Sequence, residues 1–133
     1  MFSVRETKVA IVADLGTLQR LPRLIGAGHV AELVHTGKDI DAARAWRIGL
    51  VNDVHADAAS LETAATTLAS EIAASSPLTV QGTTAVLQAC ADRTVAEGLD
   101  YVATWNAGML QSADLMEATT AFIEKRPPRF TGN

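Results

Sequence analysis

Residues 2–26 read FSVRETKVAIVADLGTLQRLPRLIG, and the fold turns on how this stretch is taken. Val4, Val9, Ile11 and Val12 are apolar and interrupted by charges, which gives the first 15 residues extended character. Gly16-Thr17 then punctuates the chain, and Thr17 is placed to N-cap a short helix using Leu18, Leu21 and Leu24. Two acids, Glu6 and Asp14, flank the apolar run. Their separation of eight residues means ~12 Å along a helix or ~26 Å along a strand. They converge on one substrate only if the segment bends, and Gly16 shortly afterwards signals irregular backbone. On these grounds alone the pair reads as solvated acids.

Outward from that stretch the chain is mostly helical. Gly26 and Gly28 bracket a turn before a short helix over Val30–Val34 that Gly37 stops. Asp41 is a good N-cap for a helix over Ala42–Arg47 ending at Gly49, and Leu50–Val54 reads as a short strand. Leu61, Ala64, Ala65, Leu68 and Ile72 then form one apolar helical stripe. Ser75-Ser76-Pro77 breaks it, and Pro77 suits the first position of a helix running to about Ala91. Thr94 and Glu97 make a capping box for a helix to about Gln111. Ser112 caps a last helix ending near Arg126, where Pro127-Pro128 forbids continuation. In the helix from Val95, one face carries Leu99, Val102, Ala103 and Leu110, and another carries Tyr101, Trp105 and Met109. Apolar on two sides, it requires neighbours on both, within its own domain or from another subunit.

The bulk numbers exclude several classes. With 133 residues, 48% hydrophobic and 20% charged, the chain reads as globular and large enough to bury a core. A net charge of -4 provides no basic field for nucleic acid or an anionic membrane. Its apolar runs, such as Val9 to Ala13, are too short to span a bilayer. The opening MFSVRETK lacks the basic and apolar regions of a secretory signal, and Cys90 is the single cysteine. A soluble cytoplasmic protein is expected. His29, His35 and His55 are scattered without zinc-like spacing, so no metal site is expected. Neither a nucleophile elbow nor a Gly-rich phosphate loop is present, and Cys90 reads as a small buried hydrophobe. Apart from Glu6 and Asp14, only the basic pair Lys125-Arg126 remains.

The opening stretch resembles a segment of crotonase-family proteins that reads roughly F-x-x-P-E-x-x-x-G-x-x-x-D/G-x-G-x-x-x-x-L-P-R-x-x-G. The likeness continues in register through TGKDIDAARAWRIGLVNDV, residues 36–54, and ends at AFIEKRPPRF, residues 121–130. Within the family, ADLGTLQRLP, SPLTVQG and LDYVATWNAGMLQSADL look like the dienoyl-CoA isomerases. The resemblance implies an α/β fold of the ββα spiral type, of which this chain is the mainly helical C-terminal half with a few short strands. Residues 1–75 are then the last part of the spiral core, and residues 76–133 a helical region that builds trimers or hexamers.

It also implies an activity within fatty acid β-oxidation. A 3,5-dienoyl-CoA becomes the conjugated 2,4-dienoyl-CoA by a 1,5-proton shift, with an acyl-CoA thioester as substrate and no cofactor. The C2 proton, between a thioester carbonyl and an alkene, is acidified by delocalisation, and a second carboxyl delivers a proton at C6. An apolar pocket would raise both carboxyl pKa values and assist both transfers. By position Glu6 matches the family glutamate near C2 and Asp14 the aspartate suited to C6, although the two roles are interchangeable. Phe122 and Lys125 match positions that line the CoA site, while a basic pair in a last helical turn also simply complements the helix dipole.

The departures carry consequences. Arg5 stands where the family has proline, which bears on the approach of Glu6. Leu15-Gly16-Thr17 supplies one glycine where common hydratases have two, and Asp14 occurs where many of them have glycine. The family's two oxyanion-hole N–H donors, most of its CoA cleft and a further acid lie in loops preceding the Phe2 segment. A chain without them is expected to lack turnover by itself, and to be poorly soluble or associated because sheet edges and apolar surface are uncovered. Two alternatives follow: an enoyl-CoA hydratase or other acyl-CoA isomerase, and a non-catalytic interaction partner of intact relatives.

Overall fold

Helix caps set most of the element boundaries in the computed structural model, which describes all 133 residues. Asp41 accepts a hydrogen bond from the Arg44 N–H at 2.7 Å and opens α3, Ala42–Arg47. Ser76 caps α5, Pro77–Ala89, with Pro77 in the first turn where its missing N–H costs nothing. At α6, Val95–Met109, the Glu97 N–H donates to Thr94 Oγ1 at 3.3 Å, and the Thr94 N–H to Glu97 Oε2 at 2.9 Å. Ser112 caps α7, Ala113–Glu124, accepting from the Leu115 N–H at 3.2 Å. The remaining helices are α1, Thr17–Arg20, α2, Ala27–Thr36, and α4, Ala58–Ala73.

Three expectations are corrected. Thr17 does not cap α1; Gly16 does, in the left-handed region at φ 88° and without a side-chain bond. The helix expected over Val30–Val34 begins earlier, at Ala27, because Gly26 in extended conformation already serves as its N-cap. The few short strands are absent as strands. The first 15 residues contribute a single antiparallel bridge, Phe2 to Ile40, before a 3₁₀ turn at Glu6–Val9 interrupts them. Leu50–Val54 forms no ladder because Leu50 is engaged in ending α3. The Gly49 N–H donates to Trp46 O at 3.0 Å and the Leu50 N–H to Ala45 O at 2.8 Å, a Schellman closure around Gly49 at φ 79°. Extended propensity makes a strand only when a partner strand lies alongside.

The chain divides into two compact units, Met1–Leu61 and Glu62–Asn133. In the first, Leu21, Ile25, Leu33, Ile40 and Ala45 form a buried cluster joined by half-buried Val4, Val30, Val34, Ile48, Leu50 and Val51. Glu32 on α2 binds both Lys38 and Arg44, tying α2 to the start of α3. The Lys38 hydrogen bond above all, helped by the Arg44 charge, holds the Glu32 carboxyl below its ordinary range although desolvation pushes the other way.

The second unit packs α5 against α6 at Gly82, where an added Cβ would lie 2.3 Å from the Trp105 indole nitrogen. Gly98 on α6 similarly faces the Cys90 thiol at 3.1 Å. Tyr101 and Trp105 pack at 6.2 Å between ring centroids, and the Arg93 guanidinium lies 5.0 Å above the Tyr101 ring. Of the two apolar faces of α6, Trp105 and Met109 are half-buried, whereas Leu99 and Leu110 on the other are more than 60% exposed. The stripe on α4 is likewise open, with Leu61, Leu68 and Ile72 all exposed.

Candidate active site

Glu6 sits in the first turn of the 3₁₀ element Glu6–Val9, half-buried, and the turn closes on its own backbone. The Glu6 carbonyl accepts from the Ala10 N–H and from the Ile11 N–H, the latter at 3.0 Å. Both bonds require Ala10 to adopt φ 59°, a left-handed conformation that disfavours any side chain with a Cβ. The family pattern carries glycine at this place.

The turn is docked on the C-terminal end of α2. Thr7 Oγ1 donates to the Val34 carbonyl, and Lys8 lies over Gly37, whose added Cβ would meet Lys8 Cγ at 3.0 Å and Val4 O at 3.2 Å. Gly37 is itself at φ 57°, so both its backbone and its surroundings demand glycine. Upstream, the Phe2–Ile40 bridge supplies two backbone bonds of 2.9 and 2.8 Å. Arg5 reaches Asp39 at 2.5 and 2.6 Å and donates from Nε to Ser3 Oγ at 3.1 Å. The residue that replaces the family proline therefore directs its charge to Asp39, and it tethers the strand-like lead-in that the turn follows. As an exposed pair it contributes position more than stability.

Asp14 lies beyond the turn, exposed, between buried Ala13 and Leu15, which is 85% exposed. Ala13 anchors the segment, and Gly16 turns it into α1. The two acids thus share the first unit, one on each side of an exposed apolar run in which Val9, Ile11 and Val12 point outward. No hydrogen bond links them.

Phe122 and Lys125 belong to the second unit, at the end of α7. Phe122 is 85% exposed. Lys125 ends the helix at φ 52°, with its N–H on Phe122 O at 3.3 Å and the Arg126 N–H on Ala121 O at 3.0 Å. Lysine is a costly residue in that conformation, on the order of 1 kcal/mol or more relative to glycine. Both residues are exposed, but the Arg126 guanidinium is committed to Glu117 at 2.6 and 2.9 Å and to Glu124 at 2.6 Å, whereas Lys125 forms no ion pair.

A group that sequence reasoning missed is Asp114, only 3% exposed on α7. Its carboxylate accepts from Ser76 Oγ at 2.6 Å, from the Thr131 N–H at 2.8 Å and from the Gly132 N–H at 3.2 Å. The Ser76 hydroxyl first, then those backbone donors, lowers its pKa below the ordinary aspartate value despite burial. Position 114 lies two residues after a serine cap, an ordinary place for an acid, and nothing local marks it as buried.

Comparison with known proteins agrees with the segment-by-segment likeness. The family model for enoyl-CoA hydratase/isomerase matches residues 1–133. A mitochondrial Delta(3,5)-Delta(2,4)-dienoyl-CoA isomerase of Dictyostelium discoideum is 51% identical over 132 residues, covering 99% of this chain and 45% of the relative. A peroxisomal counterpart from Arabidopsis thaliana is 48% identical, covering 97% and 46%. Among solved structures, an enoyl-CoA hydratase from Bacillus anthracis superposes with a TM-score of 0.92 at 35% identity, covering 97% of this chain and 50% of that one. The chain belongs to the enoyl-CoA hydratase/isomerase, or crotonase, family. It spans about half the length of the curated relatives it matches.

Proposed function

We propose that this chain carries the proton-transfer acids of a dienoyl-CoA isomerase-type enzyme acting on a 3,5-dienoyl-CoA in fatty acid β-oxidation. The observation that supports it most is the likeness, over nearly the whole chain, to proteins named dienoyl-CoA isomerases. It includes the segment that sets Glu6 and Asp14 on either side of an outward-facing apolar run. In this reading Glu6 removes the C2 proton, the electron pair delocalises as a dienolate, and Asp14 delivers a proton to C6. The double bonds shift from the 3,5 to the 2,4 positions with no net change in atoms. Phe122 and Lys125 serve the CoA moiety: the exposed ring offers an apolar face and the ammonium a counter-charge for phosphate. The acyl-CoA is the substrate, and no cofactor takes part.

The partner is a second copy of the chain in a homo-oligomer, trimer or hexamer, or a complementary N-terminal half that supplies the oxyanion donors. The exposed apolar side chains of α6 and α7 favour such covering. The chain's one cysteine suits a cytoplasmic location, while the relatives named above are mitochondrial and peroxisomal. Hydration of a 2-enoyl-CoA is the second reading, favoured by the solved neighbours titled enoyl-CoA hydratase.

The test is an assembly of this chain with a complementary N-terminal half, followed by ultraviolet absorbance of the conjugated 2,4-dienoyl-CoA. Glu6→Gln and Asp14→Asn are each expected to lower kcat by about 10²-fold or more, with KM little changed. Wild-type hydration of 2-enoyl-CoA without isomerisation would replace the first reading by the second. Undiminished isomerisation in both variants would remove these residues from the mechanism. The 133-residue polypeptide alone is expected to show no turnover, because one oxyanion donor alone is worth about 10²–10³ in rate.

A further inference from the structure

Glu6 is half-buried, and its carboxylate forms no hydrogen bond or ion pair within the protein. Where that carboxylate sits is therefore decided by the backbone that carries it. That backbone is held from one side. Residues 2–8 run back along residues 34–40 within the first unit. Phe2 and Ile40 exchange two backbone bonds, and Arg5 Nη2 reaches both carboxylate oxygens of Asp39, at 2.5 and 2.6 Å. The Thr7 hydroxyl donates to the Val34 carbonyl, one of the last four carbonyls of α2 and so without a partner inside that helix. Lys8 and the Val4 carbonyl close over Gly37 and leave no room for a Cβ there.

Arg5 has a double part in this arrangement. Its carbonyl accepts from the Lys8 N–H at 2.9 Å, which starts the turn that Glu6 opens. Its side chain does not cap that turn but leaves for Asp39, 34 residues away in sequence. One residue thus joins the start of the turn to the loop that follows α2. The pair is partly exposed, so its direct contribution to folding is small. Placement is another matter. A reacting group displaced by about 1 Å can lose on the order of 10²-fold in rate.

We propose that Arg5 and Asp39 are positioning residues for Glu6, their pairing fixing the start of the Glu6 turn against the loop after α2. The proposal rests on the reading of Glu6 as the group that removes the C2 proton. Both residues act on the reaction through Glu6. The apolar cluster around Leu33 and Ile40 stays in place when the pair is broken, and the turn alone shifts.

Two measurements test this. In the full chain, the Ala10 and Ile11 N–H groups close the turn on the Glu6 carbonyl. Their amide hydrogen exchange is expected to accelerate about fivefold in Arg5→Ala and in Asp39→Ala, with exchange inside α2 unchanged. The charge-swapped double variant, Arg5→Asp with Asp39→Arg, should restore protection. In the assembly with a complementary N-terminal half, each single variant should lower kcat on a 3,5-dienoyl-CoA about tenfold with KM unchanged. The swap should recover most of that loss. Unaltered exchange at Ala10 and Ile11 would overturn the proposal, as would equal acceleration throughout α2. Faster exchange with kcat unchanged, in an assembly that Glu6→Gln disables, would overturn it too while leaving the role of Glu6 intact. Undiminished turnover in Glu6→Gln would instead refute the reading of Glu6, and its positioning with it.

Discussion

The two units are held together by opposite means. Residues 1–61 bury Leu21, Ile25, Leu33 and Ile40 around Ala45, so their stability is that of a small hydrophobic cluster. Residues 62–133 bury Ser76, Gly82, Gly98, Asp114 and Ala121, all small or polar, and turn Leu87, Leu99, Leu110, Met116, Phe122 and Ile123 outward. A unit that spends its interior on close backbone approach and a hydrogen-bonded carboxylate has kept its large apolar side chains for contacts outside itself. The candidate catalytic acids lie in the unit with the hydrophobic cluster, beside its own outward-facing Val9, Ile11 and Val12, and the candidate CoA residues lie in the other.

That contrast can be broken at its strongest point first. Leu33→Ala removes a side chain only 3% exposed and is expected to cost about 3 kcal/mol, read as a lower denaturant midpoint by Trp46 fluorescence. A loss below about 1 kcal/mol would mean the cluster is not what holds the first unit.

Gly82→Ala attacks the second unit by the opposite route. The methyl would have to enter a space where the indole nitrogen stands at 2.3 Å, so helix separation is expected at a cost of about 2 kcal/mol. Trp105 fluorescence should report it while Trp46 does not. If alanine is accepted without loss, α5 and α6 do not meet at this glycine.

Acid should sharpen the difference. Arg126 first, with the Arg129 N–H, holds the Glu117 carboxyl at about 2, and Asp114 is also lowered. A depressed carboxyl contributes fully above its unfolded value, here 4.5 for Glu117, and the contribution disappears as pH falls through about 2. The second unit should therefore weaken between those limits, and Glu117→Gln should flatten the pH dependence of its melting. The first unit has its own lowered acids in Glu32 and Asp57, so its signal should fall as well, but without responding to the Glu117 variant.

The smallest effect should be a gain. Ala10→Gly relieves a left-handed alanine, and about 1 kcal/mol of added stability is expected in the first unit. A loss instead would show that the Ala10 methyl does more by packing than it costs in strain.

How much was legible follows from how local each signal is. The caps at Asp41, Ser76, Thr94 and Ser112 were readable because a cap is a matter of three or four consecutive residues. Leu50–Val54 carries strand propensity but has no partner strand alongside, and the bonding of Leu50 back to α3 takes precedence. The left-handed positions at Ala10 and Lys125 carry no glycine to announce them. Glu6 and Asp14 acquired meaning only through likeness to a family, since no spacing rule joins two acids across a bend. Asp114 was invisible for a different reason: its donors stand 38 residues upstream and 17 downstream.

The Gly82–Trp105 contact has one more consequence, for helix register. Gly82 is the only buried residue of α5. Sliding or rotating α5 by a single residue turns its face by about 100° and would bring the side chain of Gln81 or Thr83 against the indole. The contact therefore acts as an index mark. A one-residue insertion on either helix cannot be absorbed there by a small slip, whereas the open face of α4 has no buried position to misalign.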